Sequence, residues 1–201
     1  CTLNCPTVPE EVRAGYGLSR EEIARLAAAE PAGSEGLSFA PFLAGERTPN
    51  WPHASGALVG LRAGHLARPG LLYRAALEGA TFSLKAGYEV MQQHGLPSDL
   101  EEVRLVGGGS QSALWRQIVA DTFNVRVACP VEPESAALGA ALQAAAVDAG
   151  AGAALGEWIT EHHDPPVAEV VEPDAQRAAA LEEAYAVYAA RAEALFAKGV
   201  V

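Results

Sequence analysis

Residues 104–121 read Arg104-Leu105-Val106-Gly107-Gly108-Gly109-Ser110-Gln111-Ser112-Ala113-Leu114-Trp115-Arg116-Gln117-Ile118-Val119-Ala120-Asp121. A short apolar run, Val103 to Val106, ends in three glycines. The polar pair Ser110 and Gln111 then leads into an amphipathic helix. Strand, glycine turn and helix in that order form the layout of an anion or nucleotide site. Glycine lets the backbone approach a ligand with no Cβ in the way. The free N–H groups and positive dipole end of the following helix favour phosphate. A tight turn also uses glycine, so this stretch alone leaves both readings open.

Working outward, the 201 residues suffice for one domain or a little more. Half of them are apolar, yet no apolar run reaches the ~18–20 residues of a membrane span, so a soluble chain is expected. A net charge of −11 argues against a nucleic-acid partner, which calls for clustered Lys and Arg. A small anion can still be held by local backbone dipoles. Cys1, Cys5 and Cys129 form no disulfide framework and no CxxC, which fits a reducing cytoplasm. The N-terminus lacks both an initiating Met and the pattern of a signal peptide. The chain is therefore expected to be a piece of a longer protein.

Residues 1–36 read as a helical segment joining to a missing N-terminal lobe, or as a peripheral helical pair. Pro9-Glu10-Glu11 opens one short helix. Ser19 caps a second that runs to about Glu30, with Glu22 completing a capping box. Residues 37–201 read as one domain. Leu37–Leu43 and Ala57–Leu61 are expected strands, and between them Gly45-Glu46-Arg47-Thr48-Pro49 is either a solvated turn or a rigid loop holding a Glu46–Arg47 pair. Arg68 to His94 is a long helix with a stripe of small residues. Gly79 and Gly87 would each weaken it by roughly 1 kcal/mol relative to Ala, so a neighbouring backbone is expected close to both. Val125–Cys129 is a further strand, and Glu134 opens a helix of very small residues. Residues 150–170 read as a Gly/Ala-rich, Pro-containing excursion. Asp174–Lys198 is the last helix. Strand, strand, helix, strand, helix, strand, helix indicates an α/β layered domain, whose ligands usually sit beyond the carboxyl ends of the strands.

Four pieces together resemble the C-terminal domain of the FGGY carbohydrate kinases. They are Phe42 to Pro49, Arg74 to Phe82, Gly107 to Asp121, and Glu134 to Ala141. Within that family, the Gly45–Pro49 loop and the Gly107–Gln117 run are most similar to the xylulokinases. The resemblance covers about residues 37–198. It implies an α/β lobe with the ribonuclease-H-like core of the actin/Hsp70/sugar-kinase fold, mixed sheet and packed helices. It also implies a cytoplasmic, ATP- and Mg²⁺-dependent kinase of a pentulose, expected to be D-xylulose, with the sugar held mainly by the missing lobe. A homodimer is a further implication. Gly107, Gly108 and Gly109, with Ser110 and Ser112, would then lie along the nucleotide. Gly56 and Gly60 would face the phosphates, and Glu46 and Arg47 would lie near the sugar.

Two positions depart from the family pattern. Leu71 stands where the family carries a polar residue shortly before the Ala-Ala-Leu-Glu segment, and the family's catalytic aspartate belongs upstream of Cys1. Phosphoryl transfer needs a base, a metal and phosphate clamps, of which this chain would supply part of the clamp. Asp121 reads as exposed or structural. His162-His163-Asp164 lacks further spaced metal ligands. Two other functions stay open, a kinase of ribulose, gluconate or glycerol and a non-catalytic nucleotide-binding module of the same fold.

Overall fold

A computed structural model describes residue 5 and residues 7–95, 99–132, 134–163 and 166–197. Its centre is α3 (Pro69–Gln93), a helix of 25 residues. Pro69 sits in its first turn, where the missing N–H costs nothing. Leu and Ala then run through it without a β-branched cluster, and Gly95, at φ 98°, stops it just past His94. Residues Gly70 to Ser83 are all buried, because other elements cover this half of the helix on every side.

Two short helices, α1 (Thr7–Gly15) and α2 (Arg20–Ala28), lie against α3. The capping box at Ser19 and Glu22 forms as expected, each side chain bonding the other's backbone N–H. Ile23 and Ala27 meet Tyr73 and Leu77 of α3 and Ile118 of α4 (Ala113–Phe123). The pair is therefore built into the core. On another side of α3 lies the antiparallel hairpin of β1 (Ser38–Pro41) and β2 (Gly56–Val59). Phe42 and Phe82 join Leu181, Tyr185, Tyr188 and Phe196 of α7 (Ala175–Phe196) in an aromatic core. Phe42 meets Phe196 edge-on with centroids 5.5 Å apart, a favoured geometry for ring pairs.

The second sheet has the order β3-β4-β5, with β3 (Glu102–Arg104) parallel to β4 (Arg126–Pro130) and β5 (Val167–Val171) antiparallel to β4. One face is closed by α4, whose Val119 and Ala120 pack on Val127 and Cys129. After β4 the chain forms α5 (Ser135–Asp148) and α6 (Leu155–His162) before returning as β5. The stretch 150–170, expected to be an irregular excursion, thus contains a helix and a strand. Gly150 and Gly152 at positive φ turn the chain between α5 and α6. Val167–Val171 becomes a strand only because β4 offers it a ladder.

Asp121 is 1% exposed and structural. Its Oδ1 accepts from Gln117 and from the Asp174 N–H, and its Oδ2 accepts from Arg177 at 2.6 Å, clamping α4 to the start of α7. Among the described residues, no helix is long and apolar enough to cross a membrane.

Candidate nucleotide site

The site grows from the end of β3. Leu105 still donates to the Ala128 carbonyl at 3.0 Å, so the chain arrives in register with β4. Gly107 then takes φ 80° and ψ −172°, a conformation reserved for glycine. That bend throws residues 108–111 into a 3₁₀ turn, whose Ser110 N–H donates to the Gly107 carbonyl at 3.0 Å. Ser112 follows as N-cap of α4, accepting from the Trp115 N–H at 3.3 Å.

The three glycines serve different ends. Gly107 supplies the bend. A Cβ on Gly109 would overlap the indole of Trp115, so this glycine exists to seat that ring. Trp115 in turn donates from Nε1 to Thr81 Oγ1 of α3 at 2.9 Å, tying the turn to the central helix. Gly107 and Gly108 both face open space, with nothing within 4 Å of a Cβ at either, and of the two only Gly108 lies outside positive φ. Ser110 is buried and its Oγ donates to the Gly107 carbonyl at 2.7 Å. Ser110 and Ser112 thus both spend their hydroxyls shaping the turn. Arg116 closes it from beneath, donating to the Ser110 carbonyl at 2.6 Å and pairing with Glu169 of β5 at 2.9 Å. What remains facing outward is backbone at Gly107 and Gly108, a few residues before the N-terminus of α4, an arrangement chemically able to take an anion.

The other expected site residues lie elsewhere. Gly60 (φ 92°) follows β2, where a Cβ would stand 2.7 Å from the Gly36 carbonyl oxygen and 3.2 Å from the Arg191 guanidinium. Packing thus accounts for this glycine. Glu46 is buried, accepting from the Arg47 N–H at 2.7 Å, while the Arg47 side chain is exposed. The carboxylate therefore shapes the loop, and the charge offered outward is that of Arg47. Helix α3 packs on both β1, which leads into this loop, and α4, which follows the glycine turn.

Among the described residues, no group of three or more His, Cys, Asp and Glu could hold a metal. His162 stacks on Trp158 with centroids 4.2 Å apart, its Nδ1 lying 2.8 Å from the Trp158 carbonyl oxygen. Asp164 lies outside the described residues. Burial, with Glu46 nearby, pushes the Cys5 thiol up to about 11. Only the thiolate is nucleophilic. At pH 8.5, iodoacetamide should therefore alkylate Cys5 about 100-fold more slowly in the native chain than in urea. Peptide mapping reads this directly, and equal rates would mean Cys5 is not packed there.

Residues 7–147 match the FGGY family of carbohydrate kinases, C-terminal domain. The chain belongs to that family. The xylulose kinase of Streptomyces rubiginosus is 40% identical over 175 residues, covering 87% of this chain and 34% of that protein. The xylulose kinase of Haemophilus influenzae is 38% identical over 144 residues, covering 72% of this chain and 29% of that protein. A solved ligand-bound xylulose kinase from Lactobacillus acidophilus superposes with a TM-score of 0.81 at 27% identity, over 98% of this chain and 40% of that one. The chain thus spans about a third of the curated relatives' length. The fold is that of the actin/Hsp70-like sugar kinases, α/β with a mixed sheet and packed helices. The match also takes in α1 and α2.

Proposed function

We propose that the Gly107–Ser112 turn holds the adenine nucleotide of a two-lobed, ATP-dependent kinase whose acceptor is a pentulose, D-xylulose first. The observation that carries this is the turn itself. Gly107 bends the backbone at the carboxyl end of β3, Gly108 is open, and the capped N-terminus of α4 lies just behind. Backbone N–H groups and a helix dipole favour phosphate and cost no reorganisation when it arrives. The role of this chain is to bind and orient ATP. Trp115 and Arg116 hold the cradle rigid, which matters because phosphoryl transfer depends on positioning and charge stabilisation. Mg²⁺ is expected to ride on the nucleotide phosphates, since that ion usually needs only one or two carboxylates besides them. The base that takes the sugar proton, and most of the sugar pocket, are assigned to the lobe outside this chain.

Titrating ATP into the chain and into Gly108→Val tests the cradle. A branched side chain at Gly108, which has open space and no positive φ, should weaken binding at least about tenfold, or about 1.4 kcal/mol. In the full-length enzyme the same change should raise KM for ATP more than KM for sugar. Unaltered ATP affinity would remove Gly108 from the site. Xylulose, ribulose, gluconate and glycerol, tried as acceptors for the full-length enzyme, settle the substrate. Turnover of any of them by residues 1–201 alone would refute an external base.

A further inference from the structure

We infer that Glu169 of β5 is a positioning residue for the nucleotide turn, acting on it through Arg116. Arg116 lies in the first turn of α4, and its side chain is only 13% exposed. Its Nη1 donates to the Ser110 carbonyl at 2.6 Å, and its Nη2 pairs with Glu169 Oε2 at 2.9 Å. Its Nε is buried without a hydrogen-bond partner. Among the described residues, two contacts therefore orient the guanidinium.

Glu169 stands opposite Cys129 in the β4–β5 ladder, so the two side chains share one face of the sheet. Cys129 packs on α4, and Glu169 thus projects from β5 toward that helix. Val171, two residues on and so on the same face, joins the Cys129 cluster. The ladder register shifts just past this rung, between Cys129 and Pro130. Burial pushes the Cys129 thiol up, with Arg116 and Glu169 acting on it in opposite senses. Both charges therefore lie over that strand.

From Arg116 the restraint runs into the turn. Ser110 donates twice to the Gly107 carbonyl, from its N–H at 3.0 Å and from its Oγ at 2.7 Å. Holding Ser110 thus also holds the plane of the Gly107–Gly108 peptide. That peptide is trans, so its N–H points opposite to its C=O. With the carbonyl drawn into the turn, the Gly108 N–H is directed out of it, where an anion would be met. Without Glu169, Arg116 keeps one contact, and a long cationic side chain so released turns its head toward water. The Ser110 carbonyl then loses its partner.

A bare charge effect has the opposite sign. Deleting a carboxylate beside an anion site would, by Coulomb attraction alone, tighten ATP binding. Positioning predicts weaker binding. Stability does not confuse the two, because Glu169 is half exposed and exposed ion pairs contribute little.

The role of Glu169 rests on the nucleotide reading of the turn, so Gly108→Val is measured beside it. In the full-length enzyme, Glu169→Ala should raise KM for ATP about fivefold and leave KM for sugar unchanged. Its melting temperature should stay within about 3 °C of the parent. Glu169→Gln, which keeps an acceptor for Nη2, should restore most of the affinity. Since Glu169 acts through Arg116, adding Glu169→Ala to Arg116→Ala should weaken ATP binding no further. Additive losses would overturn the positioning role. So would an unchanged or lowered KM for ATP in Glu169→Ala beside a raised one in Gly108→Val, which leaves the nucleotide reading standing. Unaltered ATP affinity in Gly108→Val would instead remove the nucleotide reading, and the role of Glu169 with it.

Discussion

Glu78→Ala should destabilise the chain by about 3–5 kcal/mol, because it strands a buried guanidinium. Glu78 is 2% exposed and Arg74, one helical turn before it, is 4% exposed. Arg74 Nε donates to Glu78 Oε1 at 2.7 Å, the Ser34 hydroxyl donates to Oε2 at 2.7 Å, and the Gly33 N–H donates to Oε1 at 3.1 Å. Burial pushes the Glu78 carboxyl up, against the pull of Arg74 and the other donors. Three donors on two oxygens satisfy the carboxylate form.

The carboxylate also pins a turn. Gly33, Ser34, Glu35 and Gly36 have φ of 79°, 47°, 54° and 79°, four left-handed residues in succession, two of them not glycine. Left-handed backbone of this kind costs roughly 1–2 kcal/mol per non-glycine residue and persists only when its surroundings dictate it. Removing Glu78 therefore releases strain as well as breaking a pair. Melting should fall by roughly 10 °C or more for a chain of this size. Glu78→Gln, which keeps the shape and one acceptor, should cost less. The double change Arg74→Leu with Glu78→Leu should recover much of the loss, since buried ion pairs are often replaceable by well-packed apolar residues. A double variant no better than Glu78→Ala would show that the turn dominates over the stranded charge.

Glu78 also marks where sequence reading runs out. Arg74 and Glu78 at i and i+4 look like any surface pair on a helix. Only α1, α2 and β1 closing over α3 make the pair a buried one. Local signals were legible throughout: Ser19 with Glu22 opening α2, and a long helix from Arg68 to His94 ended by Gly95. The strand–turn–helix around Gly107 was legible for the same reason, since its chemistry is contiguous. The differences among its glycines were not, because Gly109 is set by Trp115 six residues on, itself anchored to Thr81 on another helix. Strand β5 escaped notice because a five-residue apolar segment becomes a strand only beside β4, which precedes it by some 40 residues. Asp121 read as exposed or structural, and its partner Arg177 lies beyond every local pattern.

Gly79 and Gly87 were both expected to lie against another backbone, and the structure separates them. A Cβ on Gly79 would overlap the carbonyl oxygen of Phe39 in β1, whereas one on Gly87 meets only the Thr48 methyl at 3.9 Å. The expectation holds for Gly79 and fails for Gly87, whose half of α3 is less covered. The two alanine substitutions should therefore have opposite signs. Each gains up to about 1 kcal/mol in helix propensity. At Gly87 nothing opposes that gain, and Gly87→Ala should raise the melting temperature by a few degrees. At Gly79 the obstacle is a main-chain oxygen in a paired strand, which cannot swing aside as a side chain would. Either α3 moves off β1 or the strand distorts, and overpacking of this kind costs about 1–3 kcal/mol and sometimes more. With a backbone atom as the obstacle the upper end applies, so Gly79→Ala should lower stability by about 2 kcal/mol net of propensity. Thermal melts of both variants decide it: a stabilised Gly79→Ala would mean that α3 and β1 do not approach as closely as the Phe39 contact requires.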